Sequence, residues 1–170
     1  ADIVRVIGDF DIRDPIKPYL EKGVVCVWDE TPLPVVGRIM ELADAKAVPV
    51  LDRNEKLVGI VTDRDLINAA VIEESVVKSD MSSGSDEDEW TWEGMRDTLG
   101  IYYGVSKIKL PDTQVKNVMV KEIVSCSYYS GVSECARKMV KNRFDQLPVV
   151  SSSGKLTGLL RDRDLLKAIT

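Results

Sequence analysis

The stretch VPVLDRNEKLVGIVTDRDLINAA, Val48 to Ala70, returns as LPVVSSSGKLTGLLRDRDLLKAI, Leu147 to Ile169, without a gap. The offset, from Gly59 to Gly158, is 99 residues. It holds further upstream, where Arg38 meets Arg137, Met40 meets Met139, Val25 meets Val124 and Lys17 meets Lys116. Over Ile16–Ala70 against Val115–Ile169, 15 of 55 positions are identical. That agreement marks an internal duplication, and it organises everything else in the chain.

Both copies read in the same order. An apolar strand, GVVCVW or EIVSCS, is followed by a helix-period stretch whose apolar stripe is Val35, Val36, Ile39, Met40 and Ala43 in copy one and Val132, Cys135, Ala136 and Met139 in copy two. Next come a strand (VPVL or LPVV), a polar turn (DRNEK or SSSGK) and a second strand (LVGIVT or LTGLLR). A short helix with Leu66, Ile67 and Ala70 on its apolar face closes the unit. A β-α-β-β-α unit of 55 residues is marginal alone, so the two copies are expected to pack sheet to sheet.

Composition narrows the function. The chain has 170 residues, 44% apolar and 30% charged, with a net charge of −5. An acidic total argues against a general nucleic-acid binder. The acidity is local: Asp80, Asp86, Glu87, Asp88, Glu89, Glu93 and Asp97 crowd one window with Arg96 as its only base. There is no histidine, which removes the commonest general base and transition-metal ligand. Cys26, Cys126 and Cys135 show no CxxC spacing and are expected to be buried, apolar and reduced. No apolar run approaches a membrane span and no secretory leader is legible, so the expected location is cytoplasmic. The first residue is not Met, and the chain is read as stand-alone or excised from a longer protein.

A β-α-β-β-α unit with a Pro-Val strand, a turn and then GIVTDRD opening a helix resembles the cystathionine β-synthase (CBS) domain, and two in tandem resemble the paired Bateman module. The resemblance covers both repeats and leaves out Ala1–Pro15 and Val71–Gln114. It implies an α+β fold with the repeats related by a pseudo-twofold axis. It also implies a regulatory module, not an enzyme, that binds an adenosine-containing nucleotide (AMP, ADP or ATP) and requires no cofactor. By match to the family motif, Thr62 would contact phosphate and Asp65 ribose, with Ile60, Ala47 and Val48 lining an adenine slot. S-adenosylmethionine is a second ligand the resemblance allows, and homodimerisation through the helices is a common habit of such modules. An assembly module without ligand is the rival of another class, and an enzyme with its catalytic part elsewhere is a third.

The residues themselves leave Thr62 and Asp65 with two roles. Thr62 at a strand-to-helix junction, with Asp65 three residues on, is a capping box. The same hydroxyl and helix start can also meet a phosphate. Gly59 and Gly158 admit the close approach of either a ligand or the other repeat. Copy two puts Arg161 in place of Thr62, with Asp164 and Leu159 standing where Asp65 and Ile60 stand. A guanidinium has no acceptor, so Asp162 is expected to take over the cap. Arg161 then either pairs inward and closes the second cleft or reaches a polyphosphate. Arg64 and Arg163 divide between cross-repeat ion pairs and phosphate contacts in the same way.

The expected organisation is an extension over 1–15, repeats over 16–70 and 115–170, and a linker over 71–114. In that linker Ser85 caps a helix from about Asp86 to Leu99, with Trp92, Met95, Leu99 and Tyr102 at helical spacing. Its stripe either packs on the repeats or docks a protein partner. An EF-hand reading from Asp86 fails because Thr91 stands where the loop needs glycine.

Overall fold

The computed structural model describes residues 2–20, 23–76 and 104–170. The chain divides into two compact units, Ala1–Asn68 with Asp112–Thr170, and Ala69–Pro111. Both repeats belong to the first. Copy one is β1 (Val27–Trp28), α2 (Leu33–Leu42), β2 (Ala47–Leu51), β3 (Leu57–Thr62) and α3 (Asp63–Ala69), preceded by an N-terminal helix α1 (Asp2–Asp9). The second unit contains β4 (Val71–Val76) antiparallel to β5 (Gly104–Lys109), with Glu73 opposite Lys107. Copy two is α4 (Val132–Asn142), β6 (Gln146–Val150), β7 (Leu156–Arg161) and α5 (Asp162–Leu166). The expected acidic helix from Asp86 to Leu99 lies outside the described residues, and the β4–β5 pair was not expected from the sequence.

The two hairpins obey the 99-residue offset in register as well as in sequence. Ala47 pairs with Thr62 and Gln146 with Arg161; Pro49 faces Ile60 and Pro148 faces Leu159. Both second strands carry an irregularity at the same place, Val50/Leu51 and Val149/Val150. Pro49 lies just before the residues that β1 pairs with, Val50 and Leu51, so the proline removes no ladder bond. The first strand of copy two shrinks to a single parallel bridge, Cys126 with Val149, in the register of Val27 with Val50. At the turns, Asp52 accepts the N–H groups of Asn54 and Lys56, and Ser151 accepts that of Lys155. The equivalent residues Glu55 and Gly154 both take positive φ, 64° and 81°.

The repeats meet around a pseudo-twofold axis. The offset partners Lys56 and Lys155 form a bridge with each other, and Gln146 donates to the Ala47 carbonyl at 3.4 Å. The leading segments cross over. Ile16 and Lys17 donate to Ser130 and Tyr128 of copy two, while Val115 and Lys116 donate to Thr31 and Asp29 of copy one. Ile16 is buried in the core of copy two with Val132, Met139 and Leu160. Copy two completes its core with the start of copy one, and Val115 at the start of copy two is fully buried where its N–H meets Thr31, a physical answer to the small size of each copy.

Residues 1–15 were expected as an extension. The structure builds α1 into copy two. Val4 and Ile7 join the same core, Ser133 Oγ donates to the Ile7 carbonyl at 2.8 Å, and an Arg137 guanidinium N–H donates to the Gly8 carbonyl at 3.0 Å. This extra cover makes the copies unequal. All four expected stripe residues of α4 are buried, whereas in copy one Val36 and Met40 are buried but Val35 and Ala43 are exposed. Leu165 of α5 is fully buried; its counterpart Leu66 is only half-buried, and Ile67 is exposed. Cys126 and Cys135 are buried as expected, and the Cys135 sulfur together with burial pushes the Cys126 thiol up. Cys26 corrects the reading: it is exposed, because the chain before Val27 lies outside β1 and alternates away from the core.

Of the two offset glycines, Gly59 is packed more tightly against the other copy. A Cβ there would run into the Met119 sulfur, stand 2.7 Å from Met119 Cγ and lie 3.1 Å from the Val120 carbonyl oxygen. At Gly158 the corresponding neighbour is only the end of the Leu20 side chain, at 3.3 Å. The close approach is therefore between repeats at both glycines. Gly59→Ala should destabilise by about 1–3 kcal/mol through overpacking, while Gly158→Ala stays within about 1 kcal/mol. Urea unfolding of the two variants measures the difference; equal losses would contradict the close approach.

Candidate functional site

The two hairpins end at the junction of the repeats, and the space beside each end is a cleft. The first is a slot of about 140 Å³. Copy one lines it with Ala47 and Pro49 from β2 and Ile60 and Thr62 from β3; copy two contributes Val120, Val124, Phe144, Pro148 and Leu159. Its polar edge is Thr62, Glu122, Asp145 and Gln146. The slot adjoins an open mouth of about 870 Å³, which shares Ala47, Thr62, Phe144 and Asp145 with it and adds Arg5, Lys46, Arg64 and Arg143. The second cleft, about 440 Å³, lies at the offset position. There Val25 replaces Val124, Ala45 replaces Phe144 and Lys46 replaces Asp145, beside Leu159, Arg161, Asp162 and Arg163.

Strand alternation explains one correction. Ala47 and Pro49 face the slot, whereas Val48 is fully buried on the other side of β2 and lines none of these clefts. Ala47, Ile60 and Thr62 line the slot, and Arg64 lines the mouth. Leu159 stands between slot and second cleft, and Arg161 and Arg163 line the latter.

Thr62 and Asp65 form the capping box. The Thr62 N–H and Oγ1–H both donate to Asp65 Oδ2, at 2.8 and 2.7 Å, and the Asp65 N–H donates to Thr62 Oγ1 at 3.3 Å. Asp65 is half-buried, lines none of these clefts, and uses Oδ1 in none of these three bonds. In copy two, Asp164 Oδ2 accepts the Arg161 N–H at 3.0 Å, but the reciprocal bond has no acceptor in a guanidinium. The cap position is Arg161 itself and not Asp162, which is the first residue of α5 and accepts the Arg163 N–H at 2.7 Å.

The copies differ most at the aspartate. Asp164 is fully buried, and Lys167 Nζ sits 2.9 Å from its Oδ1. Both carboxylate oxygens are thus engaged by the protein. The offset partner of Lys167 is Asn68, and Asp65 has no such lysine. Lys167, not the arginine substitution alone, distinguishes the second aspartate, and sequence reading centred on the seven-residue motif passed over it. Phe144, Glu122 and Asp145 were also missed, because they reach the slot from the opposite repeat.

If the half-made cap in copy two limits α5, Arg161→Thr should complete it and stabilise the chain by about 0.5–2 kcal/mol. A thermal melt reads this directly; an unchanged or lower melting temperature would show that Arg161 contributes more through its side chain than a hydroxyl would.

Comparison with known proteins supports the same architecture. The family model for the CBS domain matches residues 11–72 and 115–170. An uncharacterised protein of Methanocaldococcus jannaschii is 28% identical over 155 residues, 91% of this chain and 90% of that protein. The crystal structure of an uncharacterised conserved protein from Pyrococcus horikoshii matches with a TM-score of 0.70 at 28% identity, over 99% of this chain and 61% of that one. The fold is also that of CBSX2 in complex with AMP, with a TM-score of 0.63 at 20% identity over 92% of this chain and 96% of that one. The CBS domain pair of protein MJ0100, in complex with 5′-methylthioadenosine and S-adenosyl-L-methionine, gives a TM-score of 0.58 at 15% identity over 91% and 94%.

Proposed function

Since this chain belongs to the CBS domain family, we propose that it is a regulatory module that binds an adenosine-containing ligand in the slot at Thr62 and catalyses no reaction on it. The reading rests on the slot: a largely apolar space between Ile60 of one repeat and Val124 and Phe144 of the other, opening onto a polar mouth. Apolar walls with a few convergent polar groups suit a planar base. Glu122 and Asp145 at its edge are acceptors for an exocyclic amine, as adenine presents. Asp65 lines neither slot nor mouth, but its Oδ2 is bonded to Thr62, which lines both; a ribose hydroxyl that reaches past Thr62 meets Oδ1, which the capping bonds leave unused. The AMP complex of CBSX2 supports the nucleotide reading.

One observation favours a second ligand. The slot lining carries two carboxylates and no cation, an environment that also accepts the sulfonium of S-adenosylmethionine, which the CBS pair of MJ0100 binds. Calorimetric titration with adenosine, AMP, ATP and S-adenosylmethionine separates the two. The expected result is binding of adenosine and AMP at one site per chain, because Lys167 occupies the Asp164 carboxylate in the other copy. Asp65→Asn, which keeps a cap acceptor, should weaken adenosine about tenfold, the value of a hydrogen bond to a charged group. Absence of heat with all four ligands at millimolar concentration, or two equal sites for AMP, would overturn the reading.

The module is proposed to act as a homodimer. Val35, Leu42 and Ile67 on α2 and α3 are 47%, 70% and 68% exposed, on the copy that α1 does not cover. Light scattering at micromolar concentration should give twice the chain mass, and a monomer mass would contradict the proposal.

A further inference from the structure

The mouth of the first cleft is completed by a segment outside the family match. That match starts at residue 11, whereas α1 runs from Asp2 to Asp9. Val4 and Ile7 anchor α1 in the core of copy two, which fixes its rotation, and the exposed Arg5 between them lines the mouth. Across the mouth Arg143 ends α4 at φ 57°, a left-handed conformation that glycine adopts freely and other residues at a cost. Its offset partner Asp44 has φ 49°, so the backbone shape belongs to the repeat while the cation belongs to this copy. The left-handed turn is how the repeat ends this helix; what is particular to copy two is that the turn carries a guanidinium at the mouth.

The cations of this mouth are uncommitted. Among the described residues Arg5, Lys46, Arg64 and Arg143 enter no ion pair, whereas Arg13, Arg38, Lys116, Lys138, Lys155 and Lys167 each do. The mouth also contains Asp2, Asp63, Asp145 and Asp162, of which Asp63 and Asp162 accept the N–H of the next residue, at 2.7 Å. Acids and bases balance in number, so an anion here depends on individual donors and not on a net field. Glu122 lines the slot and not the mouth and repels phosphate from the slot, while Asp145 stands where the two meet; the mouth, continuous with the slot at Thr62 and lined by four cations, is the place left for phosphate.

Resting on the reading that adenosine occupies the slot, we infer that Arg5 and Arg143 hold the phosphate chain of a nucleoside polyphosphate in the mouth, so that the N-terminal helix is the element that tells a triphosphate from a monophosphate. Guanidinium groups suit this task because each presents paired N–H donors to phosphate oxygens. A ligand spanning slot and mouth would also tie α1 of the N-terminal segment to β3 of copy one.

The test is calorimetry with adenosine, AMP, ATP and inorganic triphosphate on the unaltered chain and on Arg5→Gln, Arg5→Glu and Arg143→Gly. Arg5 is exposed and glycine suits position 143, so melting temperatures should confirm that all variants fold. ATP should bind at least about tenfold tighter than AMP, and Arg5→Gln and Arg143→Gly should each remove about tenfold from ATP, with Arg5→Glu removing more. Adenosine should change by less than about twofold in all three. Inorganic triphosphate should compete with ATP in the unaltered chain and not in Arg5→Glu. Arg13→Gln, on a residue paired with Asp11 outside the mouth, should leave every affinity unchanged. If adenosine and AMP bind but ATP affinity is the same in all variants, the inference falls and the nucleotide reading stands. If neither adenosine nor AMP binds, both fall.

Discussion

Two hydrogen bonds set the rest of this structure in place. The Ile60 N–H donates to the Val120 carbonyl at 3.0 Å and the Val120 N–H returns to the Ile60 carbonyl at 2.8 Å. They join the last strand of copy one to the segment that leads into copy two. The pairing is possible because Gly59 presents no side chain to Met119 and to the Val120 backbone. Ile60 and Val120 are also neighbours on the wall of the slot. The contact that locks the repeats together therefore builds the candidate site, and a larger residue at Gly59 would strain both.

Duplication produced two clefts, and the sequence changes since then fall unequally on them. In copy two α1 packs into the core that holds Leu165, and Asp164 is buried beside Lys167. Copy one kept Thr62 and Asp65 in a reciprocal cap, and left Asp65 half-buried. Helix α1 thus acts twice: it completes the core of one copy and carries Arg5 to the mouth of the other cleft. Stability and recognition share one element, so truncation of the first nine residues would disturb both.

The repeat, its element order and its register were legible because offset identities such as Pro49/Pro148 and Gly59/Gly158 fix strands that pair locally. The capping box at Thr62 was legible for the same reason, since its partners are three residues apart. What depended on distant contacts was not. Helix α1 carries a helical pattern in Val4 and Ile7, but nothing local says that its partner is α4, more than a hundred residues away. Phe144, Glu122 and Asp145 enter the slot across the pseudo-twofold axis, where the offset pairs them with Ala45, Gly23 and Lys46 and no motif marks them. Val48 was misplaced by one residue of strand alternation, which moves a side chain from cleft to core.

The most direct measurement is a crystal structure of the full chain grown with ATP. A purine ring is expected in the slot bounded by Ile60, Val120, Val124 and Phe144, with the phosphates extending past Thr62 toward Arg5 and Arg143. A nucleotide seated instead against Arg161 and Lys46 in the second cleft, or a slot that stays empty at saturating ATP, would contradict this placement.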